Sequence, residues 1–536
     1  MKRLLSALLV LLLLCGCGAP AAQPDATEAS SPAQSIVPTD AVLPESAGPA
    51  YESRFGKETL IRLTDTGMDV SGPDSLSVFG SNDIIYYEDR DTYESGRPYG
   101  EGTDADKHTA EEAKQHYVVN ITAPGAYRIT GKLSAGQIRV DLGEDAKKNP
   151  SAVVELILDN ADISCTVAPA ILFLNVYECD ADRNEDNATP DVDTSRAGAT
   201  LILEGENTVR GAYVAKIFKD KKNEKKLWKQ DGAIYSYMSL NIAGPGKLTL
   251  HAANEGLGTE MHLTVNGGDI TVLSQNDGIN TNEDNISVTT INAGNLHVVA
   301  GLGAEGDGID SNGYLVINGG TVISAAKPHS DSGLDSSCGS FIHSGTVVAL
   351  GAAMDWAESD SEQVTMNLQF SQRQNGSVQV TAEDGTEIFS FDPASDPVLK
   401  DYDRGYQGAV ISCPAFQVGD SYLVYSAGTQ MAYSSTDVMR HPGGFGGDHG
   451  KGQRPEGFDG QVPPMPEGEM PTWPAGEAPS HPDDNRGNKA PGGKPPADWD
   501  PSDKRNPEAM QPTAPGQALF HMQDKVNFFS GLSQAQ

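Results

Sequence analysis

A short turn pattern recurs in the middle of this 536-residue sequence and constrains the fold more than any other feature. Each copy is an acidic residue, a glycine and an apolar residue, and successive copies start 22 to 30 residues apart. Strand-sized runs between the copies, with little helical periodicity, predict repeat units that stack strand upon strand. Four copies start at Asp231, Glu255, Asp277 and Asp307, and Ser332 takes the acidic place in a fifth. A later glycine in each unit is Gly246, Gly268, Gly294, Gly320 or Gly345.

We therefore predict an all-β fold, a right-handed parallel β-helix (solenoid), over residues 51–436. Apolar runs such as AVVELILDN and DITVLS supply its strands, and residues 365–430 form a C-terminal β cap. The right hand follows from the general handedness of parallel crossover connections. A β-sandwich is the alternative, although a sandwich does not require turns that recur in phase.

A column of asparagines accompanies the second glycine of each unit. Asn266, Asn292 and Asn318 each lie two residues before it, and His343 takes that place in the next unit. If the units stack in register, the three amides form a ladder with hydrogen bonds from one unit to the next.

The N-terminal segment has the features of an export signal. Lys2 and Arg3 precede an apolar run, and the run ends in Leu-Cys-Gly-Cys, which resembles a bacterial lipobox. We interpret residues 1–17 as a lipoprotein signal peptide, Cys17 as the lipidated residue and residues 18–50 as a flexible linker. The expected location is extracytoplasmic, lipid-anchored to the cell membrane. An ordinary signal peptide or a membrane anchor is the alternative, but the run is short for a span.

The composition changes again near residue 437. Residues 437–536 are rich in proline and glycine, and we predict a disordered tail whose last apolar stretch forms a short helix or a docking peptide. The formal charge of −36 argues against nucleic acid as a partner, because phosphate binding needs a basic face. The four cysteines beyond the N-terminal segment lack metal-binding spacing, so they are buried thiols or form up to two disulfides: Cys165, Cys179, Cys338 and Cys413.

Stacking would turn the acidic turn positions into columns of neighbouring carboxylates. Carboxylates about 5 Å apart repel, and a Ca²⁺ ion with oxygen ligands at about 2.3–2.6 Å can bridge them. We therefore predict calcium sites, with solvated Asx turns as the alternative. A second column, three positions on, contains Ile234, Gly258, Asn280, Asp310 and Asp335. The candidate calcium ligands are Asn276, Asp277, Asn280, Glu283, Asp284, Glu305, Asp307, Asp310, Asp331 and Asp335.

These units, together with APGAYRITGKLSAGQIRVDL and VVELILDNADISCTVAPAILFLN, resemble a family of bacterial surface carbohydrate-binding domains. The resemblance covers residues 75–430 and implies calcium-binding, right-handed parallel β-helices that look like polysaccharide lyases. It implies cellulose or an acidic pectin of the polygalacturonate class as the partner. A lysine-rich insertion at 216–230 departs from the pattern and is either a solvated loop or a clamp for an anionic polysaccharide.

Three functions remain open at this stage. We favour a monomeric, non-catalytic polysaccharide-binding protein over a calcium-dependent pectate-type lyase or a structural adhesin. For a lyase, Lys327 is the candidate base, but neighbouring carboxylates would raise the pKa of its ammonium group and so oppose proton abstraction. The aromatic residues considered for sugar stacking are Trp228, Tyr235, Tyr237, Tyr314 and Trp356.

Overall fold

The structure is a computed structural model of the chain. It describes residues 51–87, 106–220, 223–352, 355–436 and 516–536, without the side chains of residues 216–228. The predicted signal peptide with Cys17, the linker at 18–50 and most of the predicted tail lie outside these ranges. In the described part of the chain, no helix is long and apolar enough to span a membrane.

Most of the regular structure of the described residues is strand, with a four-residue α-helix, α1 (Ala110–Ala113), and three short 3₁₀ helices at Ser75–Ser77, Glu144–Lys148 and Leu399–Asp401. The strands of the first half are β1 (Glu58–Thr64), β2 (Gly67–Ser71), β3 (Val78–Ser81), β4 (Tyr117–Ile121), β5 (Gly125–Leu133), β6 (Gly136–Asp141), β7 (Val154–Ser164), β8 (Ile171–Asn175), β9 (Ala199–Glu204), β10 (Glu206–Gly211), β11 (Val214–Asp220), β12 (Asn223–Gln230), β13 (Gly232–Ser236), β14 (Leu240–Ala243), β15 (Lys247–Ala252) and β16 (Glu255–Thr259). The remaining strands are β17 (Leu263–Ser274), β18 (Ile279–Thr281), β19 (Val288–Val299), β20 (Ile309–Ser311), β21 (Tyr314–Ile317), β22 (Thr321–Ala325), β23 (Leu334–Ser336), β24 (Ser340–Ile342), β25 (Thr346–Gly351), β26 (Thr365–Gln374), β27 (Val378–Ala382), β28 (Glu387–Phe391), β29 (Tyr406–Ser412), β30 (Ser421–Ser426), β31 (Thr429–Ala432), β32 (Leu519–His521) and β33 (Val526–Gln534).

One sheet of nine strands carries the acidic turn pattern. Its order is β3, β4, β6, β8, β13, β16, β18, β20 and β23, and only the β3–β4 pair is antiparallel. The apolar residue of each motif stacks on its equivalent: Leu257 pairs with Ile279, Ile279 with Ile309, and Ile309 with Leu334. All four side chains are fully buried, so the same face of every unit contributes to the core.

A second sheet of 22 strands contains the later part of each unit. Within it, β15, β17, β19, β22 and β25 pair in parallel, and Leu248, Ile270, Leu296, Val322 and Val347 follow one another in register. These side chains are also buried. The two series of apolar side chains belong to the same hydrophobic core.

The later glycine of four of the five units has a conformational reason. Gly268, Gly294, Gly320 and Gly345 have φ values of 98°, 92°, 78° and 96°, a region that side chains disfavour. A Cβ atom on Gly294 would lie 2.6 Å from the carbonyl oxygen of Gly268 in the preceding unit. The turn therefore requires glycine for its backbone angle and for the close approach of the neighbouring unit.

The predicted asparagine ladder is confirmed. The Asn292 amide donates to Oδ1 of Asn266 at 2.8 Å, and the Asn318 amide donates to Oδ1 of Asn292 at 2.9 Å. Ile317 pairs with Ile342, so His343 takes the next place in the column. The ladder follows directly from the phase of the repeat.

The all-β class is confirmed, but the prediction of a right-handed β-helix solenoid is wrong. The strands form a closed six-stranded parallel barrel with many further strands on its outside. The periodic turns predicted which strands pair in parallel and in which register. They carried no information about how the paired strands close on themselves, because closure depends on the whole set of strands and connections.

The predicted disordered tail is also wrong for its last residues. Residues 437–515 lie outside the described ranges, but β32 and β33 pair with the folded part. Strand β33 runs parallel to β26 and antiparallel to β31, and β32 is antiparallel to β30. This segment therefore forms strands in place of the predicted helix or docking peptide.

The C-terminal region has its own apolar cluster. Strands β25 and β29, β26 and β29, and β27 and β30 pair antiparallel. The rings of Tyr433, Phe520 and Phe529 lie within 4.9 Å of one another by centroid distance. All four cysteines of the described residues are free thiols, with Cys165 and Cys413 buried and Cys179 and Cys338 partly buried.

We expect Phe529→Ala to lower the free energy of unfolding by about 3–5 kcal/mol, because it removes a buried ring from this cluster. Phe79→Ala is the matched control, since Phe79 is 51% exposed and its loss should change stability by less than about 0.5 kcal/mol. Urea unfolding followed by tryptophan fluorescence measures the difference. Equal stability of both variants would mean that β33 does not contribute to the folded core.

Candidate functional site

Carboxylates of successive units lie next to each other along the edge of the nine-stranded sheet. Asn280 pairs with Asp310 and Asp310 with Asp335, as the second predicted column requires. The first member of that column is corrected, because Tyr235 and not Ile234 pairs with Gly258. We refer to the carboxylates of Asp277, Asp307, Asp310, Asp335 and Asp355 as the acidic row.

The first carboxylates of two motifs accept hydrogen bonds from the backbone of the next unit. Oδ1 of Asp277 accepts from the backbone N–H of Asp307 at 2.8 Å, and Oδ1 of Asp307 accepts from that of Ser332 at 2.6 Å. These carboxylates therefore help to hold adjacent units together. Part of the acidic pattern thus has a structural reason that involves no ion.

Burial and like charge act together on the acidic row. Burial, and then the nearby charge of Asp335, raise the pKa of Asp307 to about 7 and that of Asp310 to about 8. Burial is also the main cause that raises the pKa of Asp355, to about 7, and that of Asp335. The pKa of Asp277 lies well above its usual range, first through burial and then through Glu255.

A basic side chain lies at one end of this edge. Lys229, at the end of β12, is 5% exposed, and its Nζ lies 3.0 Å from Oδ2 of Asp231. Its ammonium group also donates to Oδ1 of Asn282. Asn280, 8% exposed, donates to Oε1 of Glu255 at 3.0 Å, and its own Oδ1 has no hydrogen-bond partner among the described residues.

The other predicted calcium ligands are more dispersed. Glu283, Asp284 and Glu305 are exposed on turns, and Asn276 and Asp331 are partly buried. Oδ2 of Asp331 accepts from the backbone N–H of Gly306 at 2.8 Å. Among the residues that the structure describes, no three acidic, histidine or cysteine side chains are arranged to hold a metal ion.

The predicted sugar-stacking residues have different environments. Tyr235 is fully buried, and its hydroxyl donates to Glu260, so its ring is not available to a ligand. Tyr237 is partly buried and donates to the carbonyl oxygen of Lys229 at 2.8 Å. Trp356 is partly exposed and packs edge-on against Phe528 at 6.2 Å. The side chain of Trp228 lies outside the described part of the chain.

Tyr314 belongs to a row of rings that the sequence did not reveal. The Phe341 ring lies 6.5 Å from that of Tyr314 and 6.4 Å from that of His343, with the last two stacked at 21°. All three residues are partly exposed. Since His343 continues the asparagine ladder, the ring row and the exposed amides of Asn292 and Asn318 form one surface, which we call the ring face.

Lys327, the candidate base, is engaged with the backbone. Its ammonium group donates to the carbonyl oxygen of Gly303. Its own backbone N–H donates to the carbonyl oxygen of Gly306 at 3.1 Å. Lys327 therefore connects the turn of one unit with the strand end of the next.

The sequence missed several residues of these surfaces for identifiable reasons. Asp355 follows the last repeat, so the spacing of the repeat could not predict its neighbours. In the structure it lies beside Ser336, whose hydroxyl donates to it at 2.7 Å. Lys229 lies in the lysine-rich insertion, and nothing in the sequence distinguishes it from the other lysines there. Phe341 pairs with Val316, and alternation along β24 was the only signal for its outward position.

A family comparison identifies the type of protein. The profile of the family described as "carbohydrate-binding domain-containing protein" matches residues 115–398, more than half of the chain. The chain belongs to this carbohydrate-binding domain family. The match covers the acidic row and the ring face, but the family description does not state which sugar is bound or where.

Two individual proteins are similar to parts of this carbohydrate-binding domain protein. A carbohydrate-binding domain-containing protein of Acetivibrio thermocellus is 29% identical over 155 residues, which are 29% of this chain and 44% of the relative. The match thus spans less than half of that relative's length. A polysaccharide lyase-like protein from C. thermocellum, solved as a gadolinium derivative, is 22% identical and covers 53% of this chain and 90% of its own. Its TM-score is 0.32, which is too low to support an argument about this chain.

The raised pKa values predict how stability depends on pH. Asp307 and Asp310 stay protonated in the folded protein to about pH 7 and 8, but an unfolded aspartate loses its proton at about pH 3.9. Between these values the folded state binds more protons, so each group lowers the free energy of unfolding by about 1.4 kcal/mol per pH unit as pH rises.

The Asp307→Asn/Asp310→Asn variant lacks this loss, so its stability relative to the natural protein should increase from about pH 4 to about pH 8. Urea unfolding in chelator at several pH values measures this difference. A stability difference that stays constant over this range would show that the two carboxylates are not destabilised by ionisation.

Proposed function

We propose that this protein binds a polysaccharide on the ring face and does not cleave it. The observation that carries the proposal is the row of partly exposed rings of Tyr314, Phe341 and His343 beside the asparagine ladder. Aromatic rings offer rigid apolar surface, and neighbouring amides offer hydrogen-bond donors and acceptors for hydroxyl groups. Membership of a carbohydrate-binding domain family supports the same class of ligand.

The extended shape of this surface favours a polymer over a single sugar. The asparagine ladder runs through three units, and the ring row continues it into the next. A chain of sugar units could contact several units of the protein at once, which strengthens binding without any single deep pocket. We propose cellulose or a polymer of the polygalacturonate class as the ligand.

The environment of Lys327 favours binding over lyase chemistry. A base must reach the proton it removes, and the ammonium group of Lys327 is directed to the carbonyl oxygen of Gly303. The ammonium group is therefore held by a backbone acceptor and is not directed towards a substrate. This contact gives Lys327 a structural role between adjacent units.

We also propose that calcium stabilises the acidic row. The side chains as placed do not enclose an ion, so binding requires them to reorient. What supports the proposal is the donor set, because Asp307, Asp310 and Asp335 are close enough for their charges to oppose ionisation. Carboxylate and amide oxygens are the ligands that Ca²⁺ prefers.

The lipid anchor at Cys17 would hold the protein at the cell membrane.

The ring face is tested by Phe341→Ala. Loss of the central ring should weaken binding to the polysaccharide about tenfold, since a central aromatic contact contributes more than about 1 kcal/mol. Retention of the protein on insoluble cellulose and affinity electrophoresis in polygalacturonate measure binding.

Phe79→Ala, which removes an exposed ring from a different sheet, is the control and should bind normally. Unchanged binding by Phe341→Ala with an unchanged melting temperature would exclude the ring face. Ultraviolet absorbance of unsaturated products, lost in Lys327→Ala, would instead make the protein a lyase.

The calcium proposal is tested separately. Asp307→Ala/Asp310→Ala should lower the melting temperature more in calcium than in chelator. In both conditions it removes the acceptor of the Ser332 backbone N–H, but only in calcium does it also remove ligands of the ion. Differential scanning calorimetry under both conditions gives the comparison. Asp269→Ala is the control, because the carboxylate of Asp269 on β17 forms a surface ion pair with Lys247. Equal effects of the double variant in calcium and in chelator would remove the calcium assignment.

A further inference from the structure

Lys229 is a buried cation within a group of oxygen atoms. It is the penultimate residue of β12, in the hairpin that β11 and β12 form between β10 and β13. Its ammonium group contacts Oδ2 of Asp231 on its own chain segment and Oδ1 of Asn282 beyond β18. The lysine thus connects the base of the hairpin to a repeat unit further along the sheet.

Further oxygen atoms surround this contact. Glu255 and Glu260 act on Lys229 through their charges, and Lys229 in turn acts on Asp310. Asp231, Glu255 and Asn282 are 7%, 5% and 8% exposed, so the group is almost completely removed from water. Burial alone lowers the pKa of Lys229, but these carboxylates outweigh burial and raise it, so the ammonium group keeps its charge.

Asn280 provides an independent observation. It is 8% exposed and lies in register between Gly258 and Asp310. Its amide nitrogen donates to Glu255, which fixes the side chain within the group. Its Oδ1 atom has no partner among the described residues, although a buried amide oxygen normally has one. An unpaired, buried oxygen beside carboxylates is what a cation site requires.

We propose that this end of the acidic row is a second cation site, whose resident cation is the ammonium group of Lys229. The site consists of oxygen atoms from Asp231, Glu255, Asn280 and Asn282. While Lys229 occupies it, a divalent cation is excluded and the hairpin base is fastened to the sheet. Without Lys229, the same oxygen atoms accept a divalent cation of the calcium class.

The two ends of the edge therefore differ in how their charge is compensated. Lys229 supplies positive charge near Asp231 and Glu255, whereas the pKa values of Asp335 and Asp355 are raised first by burial and are raised further by neighbouring carboxylates. The inference shares with the proposed function only the choice of calcium as the probe. The arrangement around Lys229 stands on its own contacts.

The test is Lys229→Met in the full-length protein, which keeps most of the side-chain volume and removes the charge. Isothermal titration with CaCl₂ should give about one additional calcium ion per chain compared with the natural protein. Lys247→Met is the matched control, because Lys247 is exposed and lies 3.7 Å from Asp269 in a surface pair, so its loss should not change the stoichiometry.

A second measurement covers the case in which Lys229→Met folds poorly. In chelator, Lys229→Met should melt at a lower temperature than the natural protein, and Lys229→Met/Asp231→Asn should recover part of the loss because it removes one uncompensated charge. Calcium should restore the melting temperature of the single variant more than that of the double variant.

The outcomes separate this inference from the calcium proposal for the rest of the row. If Lys229→Met binds calcium and the natural protein does not, the result supports Lys229 as the resident cation. The same result excludes the calcium site proposed for Asp307, Asp310 and Asp335. Equal stoichiometry in both proteins, or a double variant no more stable than Lys229→Met, overturns the resident lysine.

Discussion

The register between parallel strands is the constraint on which the rest of the structure depends. It places residues of one repeat unit beside their equivalents in the next, so a sequence column becomes a row of neighbouring side chains. For Ile279, Ile309 and Leu334 this is favourable, because stacked apolar side chains exclude water together. For Asp310 and Asp335 it is costly, because the same geometry brings like charges together in a buried place.

The protein meets this difficulty in several ways along one edge. Asp277 and Asp307 accept backbone N–H groups of the next unit, which gives their oxygen atoms partners of opposite polarity. Asp231 and Glu255 interact with the ammonium group of Lys229. Among the residues that the structure describes, Asp310 has no backbone donor and no lysine or arginine in direct contact, and its pKa is raised to about 8. The parts of this edge thus differ mainly in how the charge of their carboxylates is compensated, and less in how many acidic residues they contain.

The features of the fold that could be predicted are those that recur with a regular period in the sequence. The phase of Asn266, Asn292 and Asn318 predicted their ladder, and the turn motif predicted the pairing of Asn280, Asp310 and Asp335. Closure of the strands depends on contacts that have no period, so the predicted solenoid was wrong. The candidate site was incomplete for the same reason, because Lys229 and Asp355 come from segments outside the repeat.

The C-terminal strands have a consequence for the integrity of the chain. Tyr433 and Gln517 exchange two backbone hydrogen bonds, at 3.0 and 2.9 Å, so the residues that flank the interval 437–515 lie side by side. The interval begins and ends within the same sheet, and β33 pairs with β26 over much of its length. A single peptide-bond cleavage inside it would therefore leave two fragments associated without a covalent link, with the shorter one supplying strands to the longer.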